Sequence, residues 1–237
     1  MQTLWTPKRR RGVEYLDEPG VDPRTIRRSM QDVALANSLF GGTRAVLAEL
    51  NAALVTTGDS RLTMLDVGTG AGDIPEFARA AAERRGVDLQ AFAVEASEPL
   101  ASAACSRGLP TACADARNLP LRDRSVDIVI CSQLLHHFER DEGMLLLREM
   151  DRVARRVVII GDLRRSWLAA AGIWVASWIL RFHPVSRHDG VVSVLRGFTA
   201  AELHELVACA TGVVPVVRRR AGFRVSASWR PAGRLND

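Results

Sequence analysis

Residues 62–75, LTMLDVGTGAGDIP, limit what this chain can fold into more than any other stretch. Leu62, Met64, Leu65 and Val67 form a short apolar run with Asp66 near its end, and Gly68, Gly70 and Gly72 follow at every second position. The pattern predicts a buried strand, a glycine turn and then a helix. Glycine admits positive φ and lets a ligand approach the main chain, while the amides that open the next helix stay free to donate. A dinucleotide turn, G-x-G-x-x-G, would need a third glycine at position 73, where Asp73 stands. An acidic residue at the strand end also suits a cation and repels a pyrophosphate.

The run from Asp66 to Gly72, D-x-G-x-G-x-G, resembles the first motif of the class I S-adenosylmethionine-dependent methyltransferases. In that family the turn cradles the amino-acid end of a sulfonium cofactor. The resemblance implies S-adenosylmethionine as cofactor, with Asp66, Gly68, Thr69, Gly70 and Gly72 around it. It also implies an α/β fold, a doubly wound Rossmann-like seven-stranded sheet with an antiparallel terminal strand pair. An ordinary tight strand-to-helix turn is the plainer alternative.

The chain alternates strand and helix patterns as such a sheet requires. Helices are expected at 22–38, where Asp22 is placed to cap and Pro23 fits the first turn, and at 43–54. After the turn come a helix at 74–85, a strand at 89–94, a helix at 97–107, a strand at 111–114 and a strand at 125–131. A helix at 141–153 and a fifth strand at 155–161 follow. Val213–Val217 and Phe223–Trp229 alternate apolar and polar residues around a basic turn at Arg218–Arg220 and would form the terminal pair.

Ligands of open parallel sheets bind beyond the carboxyl ends of the strands. Glu95 closes the second strand, where a carboxylate can accept hydrogen bonds from ribose hydroxyls, and it resembles the family's ribose-binding acid; a surface glutamate is the alternative. Asp115, with Ala116, follows the third strand and matches the family position that contacts the adenine amino group; a turn aspartate is the alternative. Ser132 and the segment SQLLHHF to Phe138 follow the fourth strand and should border both cofactor and acceptor. That segment resembles the small-molecule branch of the family, which includes quinone-biosynthesis C-methyltransferases.

Between Asp162 and Phe198 lies a stretch that the minimal fold does not need. Residues 167–180 are almost all apolar, with Trp167, Trp174 and Trp178. About 21 Å of helix is too short to span a bilayer. Three readings stand: a core helix, a lid over an apolar acceptor, or a membrane-surface helix flanked by Arg164, Arg165 and Arg181. The chain is expected to divide into an N-terminal arm with cap helices at 1–60 and a methyltransferase domain at 61–237, with the helical insert at 163–198. The layout Asp22–Arg28, Leu135–His137, Asp162–Ser166 and Asp189–Val194 resembles methyltransferases encoded beside bacterial polyketide synthases, which implies a place in secondary metabolism.

At 237 residues, 47% of them hydrophobic and 25% charged, the chain is globular in composition. Its net charge of +5 is carried by arginine, Lys8 being its single lysine. The cluster Lys8–Arg11 is expected to be a solvated tail, with an RNA-binding tag as alternative. Cys105, Cys113, Cys131 and Cys209 have no zinc spacing, so no metal is expected, and reduced thiols fit a cytoplasmic protein. MQTLWTPKRRRG lacks the apolar run of a secretory signal.

Methyl transfer from a sulfonium mainly requires alignment and exclusion of water. If the acceptor is a phenol, a neutral histidine can take its proton, and His136, His137 and His188 are the candidates. The expected activity is O-methylation of a hydrophobic phenolic or polyketide-derived molecule, with C-methylation of a prenylated quinol as alternative. Peripheral membrane contact is compatible with either. An RNA methyltransferase lacks support from an appended RNA-binding module or interleaved aromatics. A non-catalytic S-adenosylmethionine-binding protein is the remaining class.

Overall fold

Two central strands set the sheet. β1 (Arg61–Val67) and β4 (Val126–Ser132) are buried along most of their length and pair in parallel, with Met64 opposite Ile128 and Val67 opposite Cys131. Strands buried in this way belong in the middle of a sheet covered on both faces. The computed structural model describes residues 6–231 except 11, 19 and 71. It completes the sheet with β2 (Asp88–Glu95), β3 (Thr111–Cys113), β5 (Ala154–Leu163), β6 (Val216–Arg220) and β7 (Arg224–Trp229). The order is β3-β2-β1-β4-β5-β7-β6, and β7 is antiparallel to both of its neighbours. The seven-stranded, doubly wound sheet with an antiparallel terminal pair is therefore present.

The helices are α1 (Pro23–Leu39), α2 (Gly42–Thr57), α3 (Asp73–Glu83), α4 (Glu98–Ser106), α5 (Arg140–Val153), α6 (Trp167–Ile179), α7 (Pro184–Arg196) and α8 (Ala200–Thr211). One sheet face buries Leu65, Val129 and Ile160 against Leu146 and Leu147 of α5 and Leu203 and Leu206 of α8. The other buries Met64, Ile128 and Ile159 against Val46 and Leu50 of α2 and Ala78 and Ala82 of α3. Each large aliphatic side chain in these layers contributes roughly 1.5–3 kcal/mol of transfer free energy. The register aligns the carboxyl ends of the strands: Val67 lies opposite Val94 and Cys131, and Ser132 opposite Gly161. Asp66, Glu95, Ser132 and Asp162 are thereby gathered along one edge.

Arg218–Arg220 do not form a turn; they lie inside β6. Glu49 of α2 is buried, and Arg218 and Arg220, two residues apart on one strand face, donate to it over 2.9 and 2.6 Å. The turn falls at 221–223, where Gly222 has φ +69° and a Cβ would lie 1.9 Å from the Phe40 carbonyl oxygen. Only glycine fits there. The insert holds a second helix, α7, which the apolar pattern did not announce; Pro184 opens it and the His183 side chain accepts from the Val185 amide. Cys131 is buried, whereas Cys105, Cys113 and Cys209 are exposed, so three of the four thiols are not packing elements.

The N-terminal arm is not a solvated tail among its described residues, and Arg11 lies outside them. Arg9 Nε donates to the Arg196 carbonyl over 2.7 Å, and the Asp189 carboxylate accepts from the Tyr15 and Leu16 amides. Arg196 donates to the Gly12 carbonyl, Glu14 and Asp17. Arg165, 1% exposed, joins three segments by donating to the Pro7 carbonyl, the Gly197 carbonyl and Glu202. Glu202 also closes the capping box of α8 with Thr199. Within the basic run Arg9 is spent on an internal carbonyl, whereas Lys8 and Arg10 are exposed, a division that composition alone cannot reveal.

Candidate active site

A cavity of about 450 Å³ opens at the carboxyl edge of the sheet, within the range of small-molecule sites. It is lined by Asp66, Gly68, Thr69, Gly70 and Asp73 from the first turn, Glu95 and Ser97 beyond β2, and Ser132, Gln133, His136 and His137 beyond β4. The arm adds Glu14, Leu16 and Asp17, α1 adds Ile26, Met30 and Val33, and the insert adds Ile173, Phe182, Asp189 and Ser193. No lysine or arginine occurs among the described lining residues. The wall is acidic toward the turn and mixed toward α1, where Asp32 and Asn37 stand among Ile26, Met30 and Val33.

The turn is held open by its own hydrogen bonds. Gly68 and Gly70 have φ of +70° and +56°, and a Cβ on Gly68 would come within 2.5 Å of Leu134. A Cβ on Gly70 would meet nothing within 4 Å, so its main chain faces the cavity. Glu95 receives the Gly70 amide over 2.9 Å and the Ser97 amide over 3.0 Å, which fixes its carboxylate beside the turn with acceptor lone pairs to spare. Thr69 Oγ1 donates to Asp66 Oδ2 over 2.7 Å, while Asp66 Oδ1 is buried with no partner. Burial pushes the Asp66 carboxyl up to about 7, and the nearby charges of Asp73 and Glu95 push the same way. A ligand ammonium would satisfy that orphaned oxygen and reverse the shift. The residues at the turn thus fit the cationic amino-acid end of S-adenosylmethionine.

A second cluster lies beyond β4. His136 is buried, its Nδ1 is 2.7 Å from Asp162 Oδ1, and its amide donates to Asp162 Oδ2 over 3.1 Å. Burial disfavours the Asp162 charge, but the His136 ring and the Leu163 amide more than offset that and hold the carboxyl below its ordinary value. An ionised Asp162 only accepts, so their hydrogen bond puts a proton on His136 Nδ1 and Nε2 is the ring nitrogen left over. Nε2 has no hydrogen-bond partner and lies 4.0 Å from Glu14. His137 differs: burial opposes its charge, but Asp17, 3.1 Å away, and the Glu14 and Asp162 charges raise its pKa. Asp17 is drawn down to about 2, burial notwithstanding, by His137 and Arg196.

Glu14, His136 and His137 bring potential metal-ligand atoms within 4.8 Å of one another, a grouping that cysteine and histidine spacing does not disclose. The Arg196 guanidinium already stands 2.9 Å from Glu14 and 2.8 Å from Asp17, so these carboxylates have a resident cation.

Of the residues singled out from the sequence, Asp66, Gly68, Thr69, Gly70, Glu95, Ser132, His136 and His137 line this one cavity. The others lie apart from its lining. Gly72 packs toward Leu109 and Ala104, Ala116 is buried in the core, and Asp115 is exposed and doubly bonded by Arg117. His188 is half exposed, bonded to Asp189 and set 4.5 Å from the Tyr15 ring. Glu14 and Asp17 are site residues that no sequence pattern marks, Asp162 stood only as a segment end, and Gln133 lies in the segment expected to border the site. Gln133 carried a local signal no pattern reports, a non-glycine φ of +54° with its buried Nε2 unpartnered.

The core-helix reading of residues 167–180 fails. Trp167, Leu168, Trp174, Val175, Trp178 and Ile179 are 41% to 74% exposed, and from α6 only Ile173 reaches the cavity. Among the described residues no helix is long and apolar enough to cross a membrane.

Fold and cavity together define a Rossmann-like α/β methyltransferase fold. Residues 65–159, which span the glycine turn, Glu95 and both histidines, match the family described as a methyltransferase domain. That match takes in the strands and turns that build the cavity, and the orphaned Asp66 oxygen beside the open Gly70 main chain fits S-adenosylmethionine as the ligand held there. Similar folds include a SAM-dependent methyltransferase from Aquifex aeolicus, 20% identical with a TM-score of 0.59, covering 89% of this chain and 99% of that one. The plantazolicin methyltransferase in complex with S-adenosylhomocysteine is 12% identical with a TM-score of 0.66, covering 90% and 92%. Magnesium protoporphyrin IX methyltransferase from Synechocystis, with bound cofactor, is 14% identical with a TM-score of 0.54, covering 86% and 84%. No curated protein matches the sequence.

Proposed function

We propose that the protein methylates a hydroxyl group of a hydrophobic small molecule, phenolic or polyketide-derived, with His136 as general base. The observation that carries this reading is the buried His136–Asp162 pair, in which Nε2 is unpartnered and His136 lines the same cavity as the cofactor turn. S-adenosylmethionine supplies an electrophilic methyl carbon. The Gly68–Gly70 main chain and Asp66 bind its charged end, and Glu95 receives its ribose. Ser132 and Gln133 border the junction between donor and acceptor. A phenol, with an ordinary pKa near 10, is a weak nucleophile until its proton leaves, and Nε2 is placed to take that proton as attack develops. Asp162 holds the ring in the useful tautomer and balances the imidazolium that forms. Ile26, Met30, Val33, Ile173 and Phe182 supply apolar side chains for the acceptor, and within the methyltransferase domain at 61–237 the insert at 163–198 serves as cover, with residues 1–60 as arm and cap.

Secondary metabolism and a cytoplasmic setting complete this reading. Methylation at carbon of a prenylated quinol suits the same apolar wall and shares the need for a base at the phenol. The experiment is a panel of hydrophobic phenols and quinols incubated with the enzyme and isotopically labelled methyl donor. A product heavier by one methyl, located on oxygen by NMR, supports the proposal. Label on carbon selects the quinol reading. Transfer to RNA alone would overturn both, and binding of donor without turnover on the panel would leave a non-catalytic protein.

A further inference from the structure

The outer face of α6 is unlike the rest of the surface. Trp167, Leu168, Trp174, Val175, Trp178 and Ile179 fall on one side of the helix, and the exposed residues between them are Ala171 and Gly172. That side presents no polar side chain over its whole length. Contiguous exposed apolar surface of this kind marks a contact with something else.

The charges around it have one sign. Between Asp162 and Asp189 there is no acidic residue, while Arg164, Arg181 and Arg187 fall within that span beside Arg165, which is buried against Glu202. The Arg10 guanidinium lies 5.3 Å from the Trp167 ring centre at one end of the face, and Arg187 lies 3.5 Å from that of Trp178 at the other. Arg181 follows the helix and is exposed. Trp174 and Trp178 meet edge to face at 6.2 Å between them.

We infer that this face docks on an anionic lipid membrane, with α6 lying in the plane of the headgroups. Tryptophan favours that boundary, where its ring is buried and its N–H stays wet. Arginines at both ends meet the negative surface potential of acidic lipids. The helix needs no polar face of its own, because its inner side is covered by the protein rather than by water: Ala169 and Ala170 are buried in a cluster with Val194 and Leu195 of α7. A second copy of the chain fits poorly. A strip about 20 Å long and 10 Å wide is on the order of 200 Å², against about 800 Å² per partner in a stable interface. A two-fold pairing of the strips would also bring Arg10 of one copy toward Arg181 and Arg187 of the other. The inference does not depend on the methyl-transfer reading.

The test is co-sedimentation of the full-length protein with vesicles of phosphatidylcholine and phosphatidylglycerol at 3:1, with tryptophan emission followed in parallel. The wild-type protein is expected to pellet with these vesicles and shift its emission to the blue, and to bind pure phosphatidylcholine about tenfold more weakly. Trp174→Ser with Trp178→Ser, and separately Arg181→Glu, are each expected to weaken binding about tenfold while circular dichroism stays unchanged. Failure of the wild-type protein to bind, or unaltered binding by both variants, overturns the inference. A wild-type dimer in light scattering that becomes monomeric in the tryptophan variant would assign the face to a second copy and overturn it as well.

Discussion

His136 points Nδ1 at Asp162 Oδ1 across 2.7 Å, joining the loop after β4 to the end of β5 and leaving Nε2 without a partner on a residue that lines the cavity. The pairing fixes the tautomer rather than the charge, and a histidine so held accepts a proton without having to reorient.

Replacing His136 with Asn is therefore expected to lower kcat by about 10²–10⁴, the range for loss of a general base. Affinity for S-adenosylhomocysteine, measured by calorimetry, should change by less than about threefold, because the base stands apart from the turn. Asp162→Asn should lower kcat by about a hundredfold by releasing the tautomer. Full activity in His136→Asn would pass the role to His137 or to no base.

His137 and Asp17 make a second, weaker prediction possible. Their pairing holds the His137 pKa up, so His137→Gln should remove a cation from the cavity and alter the acidic limb of the pH profile of kcat/KM. The measurement is the profile between pH 5 and 9 in both proteins.

Asp66 links cofactor affinity to pH. Its carboxyl stands at about 7 in the folded protein against 3.8 for the free side chain, so the folded chain holds an extra proton between those values. The stability it contributes is present below pH 4 and is lost as pH rises toward 7. Only the ionised form pairs with an ammonium, so S-adenosylmethionine affinity should rise as pH increases through about 7. Asp66→Asn should stabilise the fold at pH 8 by on the order of 1–3 kcal/mol, read as a higher melting temperature, while weakening cofactor binding. A pH-independent affinity in the wild-type protein would refute this linkage.

Arg165 tests the arm. Arg165→Met leaves Glu202 and two buried carbonyls without their partner, and the expected loss is about 3 kcal/mol. Removing residues 1–17 should take Glu14 and Asp17 from the cavity and abolish turnover on small molecules while leaving cofactor affinity within a few-fold. The sequence alone makes the first eleven residues dispensable; the bonds of Arg9 and Arg10 to the end of α7 indicate the opposite, and limited proteolysis of Arg165→Met should cut within the arm.

The features that were legible in the sequence are those encoded locally. The turn at Gly68–Gly70 declares itself by spacing, and Glu95 and Ser132 declare themselves by standing where apolar runs stop. The arm was illegible because its partners are distant: Tyr15 donates to Asp189, 174 residues away, and no periodicity connects them. Arg218–Arg220 looked like a turn because their counter-charge, Glu49, sits on a helix far upstream. Asp115 follows its strand as expected, yet Arg117 two residues later occupies its carboxylate, a local bond that motif matching ignores. The base pair His136–Asp162 needed the register of β4 on β5 before its two halves could be brought together.

The most direct test of the whole account is calorimetric titration of S-adenosylmethionine into the wild-type protein and into Gly70→Val. The turn is predicted to bind one cofactor per chain in the wild-type protein. In Gly70→Val a branched side chain forced into positive φ and into the open cavity should reduce affinity by at least about a hundredfold. Equal affinity in the two proteins, or no binding to the wild-type chain at pH 8, would contradict it.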